Sequence, residues 1–393
     1  MLGDVFLTGM VRTAIGNLNG ALAGVSAPAL GTAVIRAALE RSKIPVDQVD
    51  NVIMGNVLAA GLGQNPARQA AVGAGLGWSV GATTVNKVCG SGLKAIMFAA
   101  QAIQCGDASI IVAGGMENMS SAPFLLKNAR TGYRLGHGEL FDSILRDGLT
   151  DAYHGIHMGT FADRCAARYA FTRRQQDDFA VASYRRAQAA VATGVFAREI
   201  VAVDTRAGKG TAMVAEDEQP KRFNEDKLRQ LRPVFESEGT ITAGNASGIS
   251  DGAAAGIVLS ADKAREIGVQ PIARILGYVT VAHEPEWFTL APIEAIARLL
   301  NQLSLKVADV GLFEINEAFA VVVMAAMKDL SIPHEKVNVH GGAVALGHPI
   351  GASGARTLVT LLNAMNDRRV RIGIAALCIG GGEAVAMAVE LCQ

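Results

Sequence analysis

Apolar positions along the chain alternate between a helical period and short continuous runs. Residues 29–41 repeat apolar side chains at three- and four-residue spacings and predict an amphipathic helix. The segment Val46-Asp47-Gln48-Val49-Asp50 follows, and then an apolar run at 51–54 that predicts a strand. The same order returns near the C-terminus: a helix at 292–303, the segment Val307-Ala308-Asp309-Val310-Gly311, and a strand at 312–315. Each copy continues with a strand entering a glycine-rich turn (86–92 and 338–354), a helix (93–104 and 355–365), and a strand running into glycines (109–115 and 372–382). Strands alternating with helices predict an α/β fold of mostly parallel sheets. The repeat predicts two such halves packed together, with chance similarity of two α/β units as the competing reading. It pairs the strand end at Cys378 with Ala113-Gly114-Gly115.

Residues 119–249 break this rhythm. They hold about half of the charged residues. They include a helix-like run at 172–193 opened by Thr172, a candidate N-cap, and a polar stretch at 204–227. This segment reads as a solvated insertion over one half, or as ordinary surface loops. Half of all residues are hydrophobic and formal net charge is zero, which argues against a general nucleic-acid or anionic-membrane binder. The five cysteines include no CxxC pair, so a reducing, cytoplasmic setting is expected rather than a disulfide framework. No signal-peptide, transit or membrane-spanning pattern is present.

Candidate chemistry starts at Cys89. It stands between an extended segment and the first turn of an apolar helix, framed by Gly90, Ser91 and Gly92. Unpaired N–H groups and the positive helix end there favour thiolate, the nucleophilic form. A buried structural cysteine is the plain alternative. His348 sits in a loop of glycines stiffened by Pro349, suited to proton transfer or to a structural hydrogen bond. Cys378 ends an apolar strand before Gly380, where α/β sites commonly lie. Asn316 stands at a strand-to-helix junction, as an amide turned to a cleft or as a helix cap. Residues 242–252 are small and polar, fit for a narrow tunnel or for turns. His154 and His157 have helical spacing, but Gly155 and Gly159 weaken a helix there and no third ligand is apparent, so no metal site is expected.

Together, VCGSGLKA around Cys89, GGMENMS at 114–120, DGLTDAYHGIHMG at 147–159, GNASGISDG at 244–252, NEAFA at 316–320, NVHGGAVALGHPIGASGAR at 338–356 and CIGGG at 378–382 resemble the thiolase family, of its biosynthetic, acetyl-CoA acetyltransferase type. The resemblance runs the length of the chain. It implies a five-layered αβαβα fold: an N-terminal half (1–118 with 250–270), a loop subdomain (119–249) covering the active site, and a C-terminal half (271–393). It implies a dimer or dimer of dimers that condenses two acetyl-CoA molecules to acetoacetyl-CoA. Coenzyme A thioesters are then substrates, and no cofactor, nucleic acid or membrane is involved.

The resemblance also assigns roles. Cys89 is the acylated nucleophile, His348 accepts its proton, and Cys378 is the second acid/base. Asn316 holds a water that forms one oxyanion hole with His348. The N–H groups of Cys89 and Gly380 form another. Ser247, Leu149, His157, Met158, Ala243, Phe235, Ala318 and Phe319 contact the pantetheine arm or acyl group, and Lys221 with Arg222 lies toward the nucleotide phosphates. Two stretches depart from the family pattern: Trp287-Phe288-Thr289-Leu290-Ala291, with Phe288 near the acyl pocket, and Thr160-Phe161-Ala162-Asp163-Arg164. Both bear on substrate range, so a 3-ketoacyl-CoA thiolase of longer chain range is the alternative. A decarboxylating Cys-His-His enzyme is disfavoured because Asn316 stands where that branch carries histidine.

Overall fold

The computed structural model describes residues 3–205 and 213–392. Residues 206–212 of the predicted polar stretch lie outside the described residues.

The strands hydrogen-bond in the order Leu312–Ile315, Ile372–Ile379, Glu383–Leu391, Ala273–Ala282, Val5–Thr13, Ser250–Ser260, Ile110–Asn118, Asn51–Gly55 and Gly81–Val85. The order explains the repeat. In the N-terminal half, Asn51–Gly55 is parallel to Ile110–Asn118, which pairs antiparallel with Ser250–Ser260, and that strand pairs antiparallel with Val5–Thr13. In the C-terminal half, Leu312–Ile315, Ile372–Ile379, Glu383–Leu391 and Ala273–Ala282 repeat the same senses. The halves meet where Phe6 and Leu7 pair with Arg274 and Ala273.

Alternation along the strands sorts side chains into layers. Ile53, Ile111 and Ala113 face a middle layer made by the helices Ser91–Cys105 and Ile350–Arg368, which Ala375 and Leu377 face from the other half. Val52, Met54 and Val112 face the opposite way, onto Ala27–Ser42 and Pro66–Gly73. Ile374 and Ala376 face Ala291–Gln302 and Ala320–Leu330. The result is the five-layered αβαβα arrangement. The two middle helices cross on glycine. A Cβ at Gly92 would lie 2.7 Å from Ala355 N, and one at Gly354 would lie 2.3 Å from Leu93 N. That close crossing brings the two helix starts together.

The insertion contains the hairpin Phe124–Leu126 with Leu140–Asp142, then helices Met158–Tyr169 and Arg173–Ala192. Thr172 caps the latter in a full capping box with Gln175. Arg12, wholly buried, anchors the insertion to the first strand through Glu199 at 2.6 Å and Asp217 at 2.7 Å. Met158 and Phe161 pack with Phe288, Phe319 and Cys378, so the insertion closes over the C-terminal half. Among the described residues no helix is long and apolar enough to cross a membrane.

Candidate active site

Each half supplies one arm of the site. After Gly81–Val85 the chain turns sharply, and Val88 takes a φ of +45°. A β-branched residue is strained in the left-handed region. Two bonds hold it there: Lys87 N–H donates to Ser91 Oγ at 2.8 Å, and Ser91 Oγ donates to Val88 O at 2.6 Å. The turn sets Cys89 two residues before the helix Ser91–Cys105, which starts two residues earlier than its apolar run predicts.

From the other half comes His348, just before Ile350–Arg368. Its Nδ1 lies 2.5 Å from Ser353 Oγ, and that hydroxyl donates to Pro349 O at 2.9 Å. The hydroxyl proton is used there, so Nδ1–H is the donor and Nε2 keeps its lone pair. Burial first, and then the Arg356 cation, push the His348 pKa down to about 3. The ring is neutral with an acceptor nitrogen, which is the state of a general base. Nε2 lies 3.4 Å from Asn316 Nδ2. Arg356 donates to Asn316 Oδ1 at 3.4 Å and to Glu314 at 2.8 Å, so the amide end facing His348 is fixed. Asn316 N–H also donates to Ala376 O at 2.9 Å, tying this turn to the strand that carries Cys378.

Cys378 is fully buried at the end of that strand. Gly381 and Gly382 follow at φ of +94° and +88°, a turn that glycine makes at little cost. The turn brings Gly380 N–H onto the Cys89 sulfur, where the N–H of Cys89 also points. These donors do not make Cys89 a thiolate, contrary to the expectation from sequence. Its wall is Val57, Leu58, Met119, Ile144 and Ile350, which solvate no charge. Burial therefore wins and pushes the thiol up to about 11. Burial, and the neighbouring Cys89, also hold Cys378 well above the ordinary thiol range. Without substrate the group is two thiols and a neutral imidazole. Alkylation of Cys89 by iodoacetamide is expected to keep rising with pH toward about 11, because only the thiolate reacts. A plateau near neutrality would contradict this.

The cavity above Cys89 is about 370 Å³. Cys89, His348 and Gly380 line it, as do Leu149, His157, Met158, Phe235, Ala243, Ser247, Phe288, Ala318 and Phe319. Asn316 and Cys378 are buried just behind this surface. His157 caps Met158–Tyr169 and stacks on Phe235 at 4.5 Å. Gly159 leaves space for that ring, since a Cβ would stand 2.1 Å from it. Ser247 donates through both N–H and hydroxyl to Ala318 O, at 3.0 Å each, closing the insertion onto the Asn316 turn. Phe288, buried, meets Phe319 edge-on. Lys221 and Arg222 are not brought to this cavity. They line a separate surface hollow with Met213, Val214 and Glu216, and pair with Glu216 and Glu218.

Sequence reasoning missed several contributors. Met119, Gly148, Thr242, Gly248 and Ile350 also line the cavity, and each lies within or beside a motif already singled out. Val234 lines it too and carried no sequence signal. Ser353 and Arg356 orient the reacting side chains, but nothing in their spacing names their partners.

A half-buried sulfur, a buried sulfur, a neutral imidazole, an amide and converging N–H donors stand together at the junction of the duplicated halves, a set suited to acyl transfer through a cysteine. Residues 5–262 match the thiolase N-terminal domain and residues 269–391 the thiolase C-terminal domain. The chain belongs to the thiolase family. It is 54% identical to an acetyl-CoA acetyltransferase of Escherichia coli, with 97% of each chain covered. It is 48% identical to that of Schizosaccharomyces pombe, with 98% of each covered. Among solved structures, the acetyl-CoA acetyltransferase of Bacillus anthracis superposes with a TM-score of 0.97 at 40% identity, covering 100% of this chain and 99% of that one. The Acat5 thiolase of Ascaris suum, in complex with coenzyme A, superposes at 0.94 with 43% identity, covering 99% of this chain and 100% of that one.

Proposed function

We propose that this chain is an acetyl-CoA acetyltransferase that joins two acetyl-CoA molecules into acetoacetyl-CoA and CoA, and runs the reverse thiolysis. The observation that supports the reading is that Cys89 and His348, from two halves, line one cavity with Asn316 beside His348 and Cys378 beside Cys89 buried behind its surface, in a chain so similar to acetyl-CoA acetyltransferases.

The proton inventory gives the sequence of steps. His348 Nε2 takes the Cys89 proton as sulfur attacks the first thioester. The N–H groups of Cys89 and Gly380 receive the developing oxyanion. Cys378 protonates the departing CoA sulfur and becomes the base for the next step. It then removes a methyl proton from the second acetyl-CoA, whose enolate oxygen is held by protonated His348 and a water on Asn316. The carbanion attacks acetyl-Cys89, and the released Cys89 sulfur recovers its proton from His348. Two sulfurs are required because one is acylated when the other must accept a carbon-bound proton. Protein groups supply every proton transfer, so the reading includes no cofactor. Initial rates with both substrates varied test it: ping-pong patterns are expected, and intersecting sequential patterns would overturn it.

Phe288 favours one refinement. Its buried ring lines the cavity and packs with Phe319 and Cys378, and on this reading it limits chain length. Phe288→Ala is expected to raise the thiolysis rate of 3-ketohexanoyl-CoA relative to acetoacetyl-CoA by about tenfold or more. An unchanged ratio would return the longer-chain reading to equal standing. The reading further takes the enzyme as a cytoplasmic dimer or dimer of dimers with small-molecule acyl-CoA substrates and no nucleic-acid or membrane partner. The exposed apolar Phe124, Leu126 and Leu140 on one hairpin support self-association.

A further inference from the structure

The duplication places a second, catalytically silent copy of the active-site frame in the N-terminal half. Gly55 pairs with Gly115, and Ile315 pairs with Ala376. One residue beyond each first strand stands an asparagine, Asn56 or Asn316. Two residues beyond each partner stand Glu117 and Cys378. The reciprocal crossing of Gly92 and Gly354 aligns the middle helices, so Cys89 corresponds to Gly351. Where Cys378 approaches Cys89, Glu117 approaches Gly351.

Glu117 is completely buried and accepts four N–H donors. Its Oε1 takes Asn56 Nδ2 at 2.7 Å and Leu58 N at 3.1 Å. Its Oε2 takes Val57 N at 3.0 Å and Gly351 N at 2.9 Å. Gly351 lies in the first turn of the helix that follows His348, so the carboxylate also meets a positive helix end. The clamp adjoins the wall of the nucleophile: clamped Val57 and Leu58, and Ile350 next to clamped Gly351, pack in the small cluster that holds Cys89.

We propose that Glu117 is a positioning residue for catalysis, whose carboxylate joins the 56–58 loop to the 348–351 turn and so fixes Cys89 against His348. The assignment rests on Cys89 as the nucleophile. Both oxygens act only as acceptors, so an amide in place of the carboxylate must turn its NH₂ against two N–H donors. The charge has a second consequence. Facing the Cys89 sulfur are the Glu117 carboxyl, the Cys378 thiol, neutral His348 and the N–H groups of Cys89 and Gly380; burial, with Asp251 nearby, raises Glu117 to about 7, so above that pH, where Cys89 titrates, Glu117 is the one anion among them. Removing it eases ionisation of Cys89.

Glu117→Gln tests the clamp. The expected result is a kcat at least about tenfold lower with KM changed less than about threefold, since small misplacements of reacting groups cost large factors in rate. The pH profile of Cys89 alkylation is expected to move to lower pH; water admitted by loosened packing would move it the same way, and Asn56→Ala, which opens the same clamp while keeping the charge, separates the two causes. Asn56→Ala removes one donor and keeps the charge, so it lowers kcat by less and leaves the alkylation midpoint in place. Wild-type kcat and an unmoved profile in folded Glu117→Gln overturn the proposal. If that variant does not fold, wild-type kcat in Asn56→Ala overturns it. Activity surviving in Cys89→Ala would instead remove the nucleophile assignment itself, which separates the two failures.

Discussion

Replacing Cys89 by alanine is expected to lower kcat for thiolysis by at least about 10⁴-fold while the protein stays folded. The sulfur is the only atom lost. The Ser353 bond that fixes His348, the Arg356 bond to Asn316 and the two N–H donors all remain. No buried group loses its partner, because the donors freed at Gly380 and Cys89 face the cavity and can be hydrated. What disappears is covalent storage of the acyl group, which nothing else in the cavity replaces. Steady-state rates together with thermal unfolding check both halves of this expectation. A large loss of activity accompanied by unfolding would assign Cys89 a structural role instead.

Cys378→Ala is expected to separate the two half-reactions. Acetyl transfer from acetyl-CoA to Cys89 slows modestly, because a CoA thiolate departs readily even without a proton donor. Condensation requires a base for a carbon-bound proton and is expected to fall by about 10³-fold or more. The sulfur lies among Met158, Phe161 and Phe319, so alanine leaves only a small apolar gap. Labelled acetyl-CoA is expected to leave label on the protein while acetoacetyl-CoA formation nearly stops. Equal loss in both half-reactions would mean that Cys378 does not serve as the separate base.

Much of this was legible in the sequence because it is written locally. The duplication shows in matched helix and strand periods at 29–54 and 292–315. Cys89, Asn316, His348, Cys378 and Gly380 each sit in turns whose glycines or junctions mark them. The rest depends on tertiary approach. Arg356 reaches Asn316 across forty positions of sequence, and Glu117 gathers donors from residues 56–58 and from Gly351. No periodicity encodes such partners. The protonation state of Cys89 escaped for the same reason: the helix end is visible in sequence, but the apolar wall that outweighs it is assembled from four separate segments. The pairing of Lys221 with Glu216 and of Arg222 with Glu218 at a surface hollow apart from the acyl cavity is likewise a tertiary feature that no periodicity encodes.

The most direct test is acid quenching of Cys378→Ala protein mixed with acetyl-CoA, followed by peptide mapping. The account predicts an acetyl thioester on Cys89 and on no other cysteine. Acetyl found on Cys378-free protein at Cys105, Cys165 or Cys392, or no covalent acetyl at all while wild-type enzyme turns over, would contradict it.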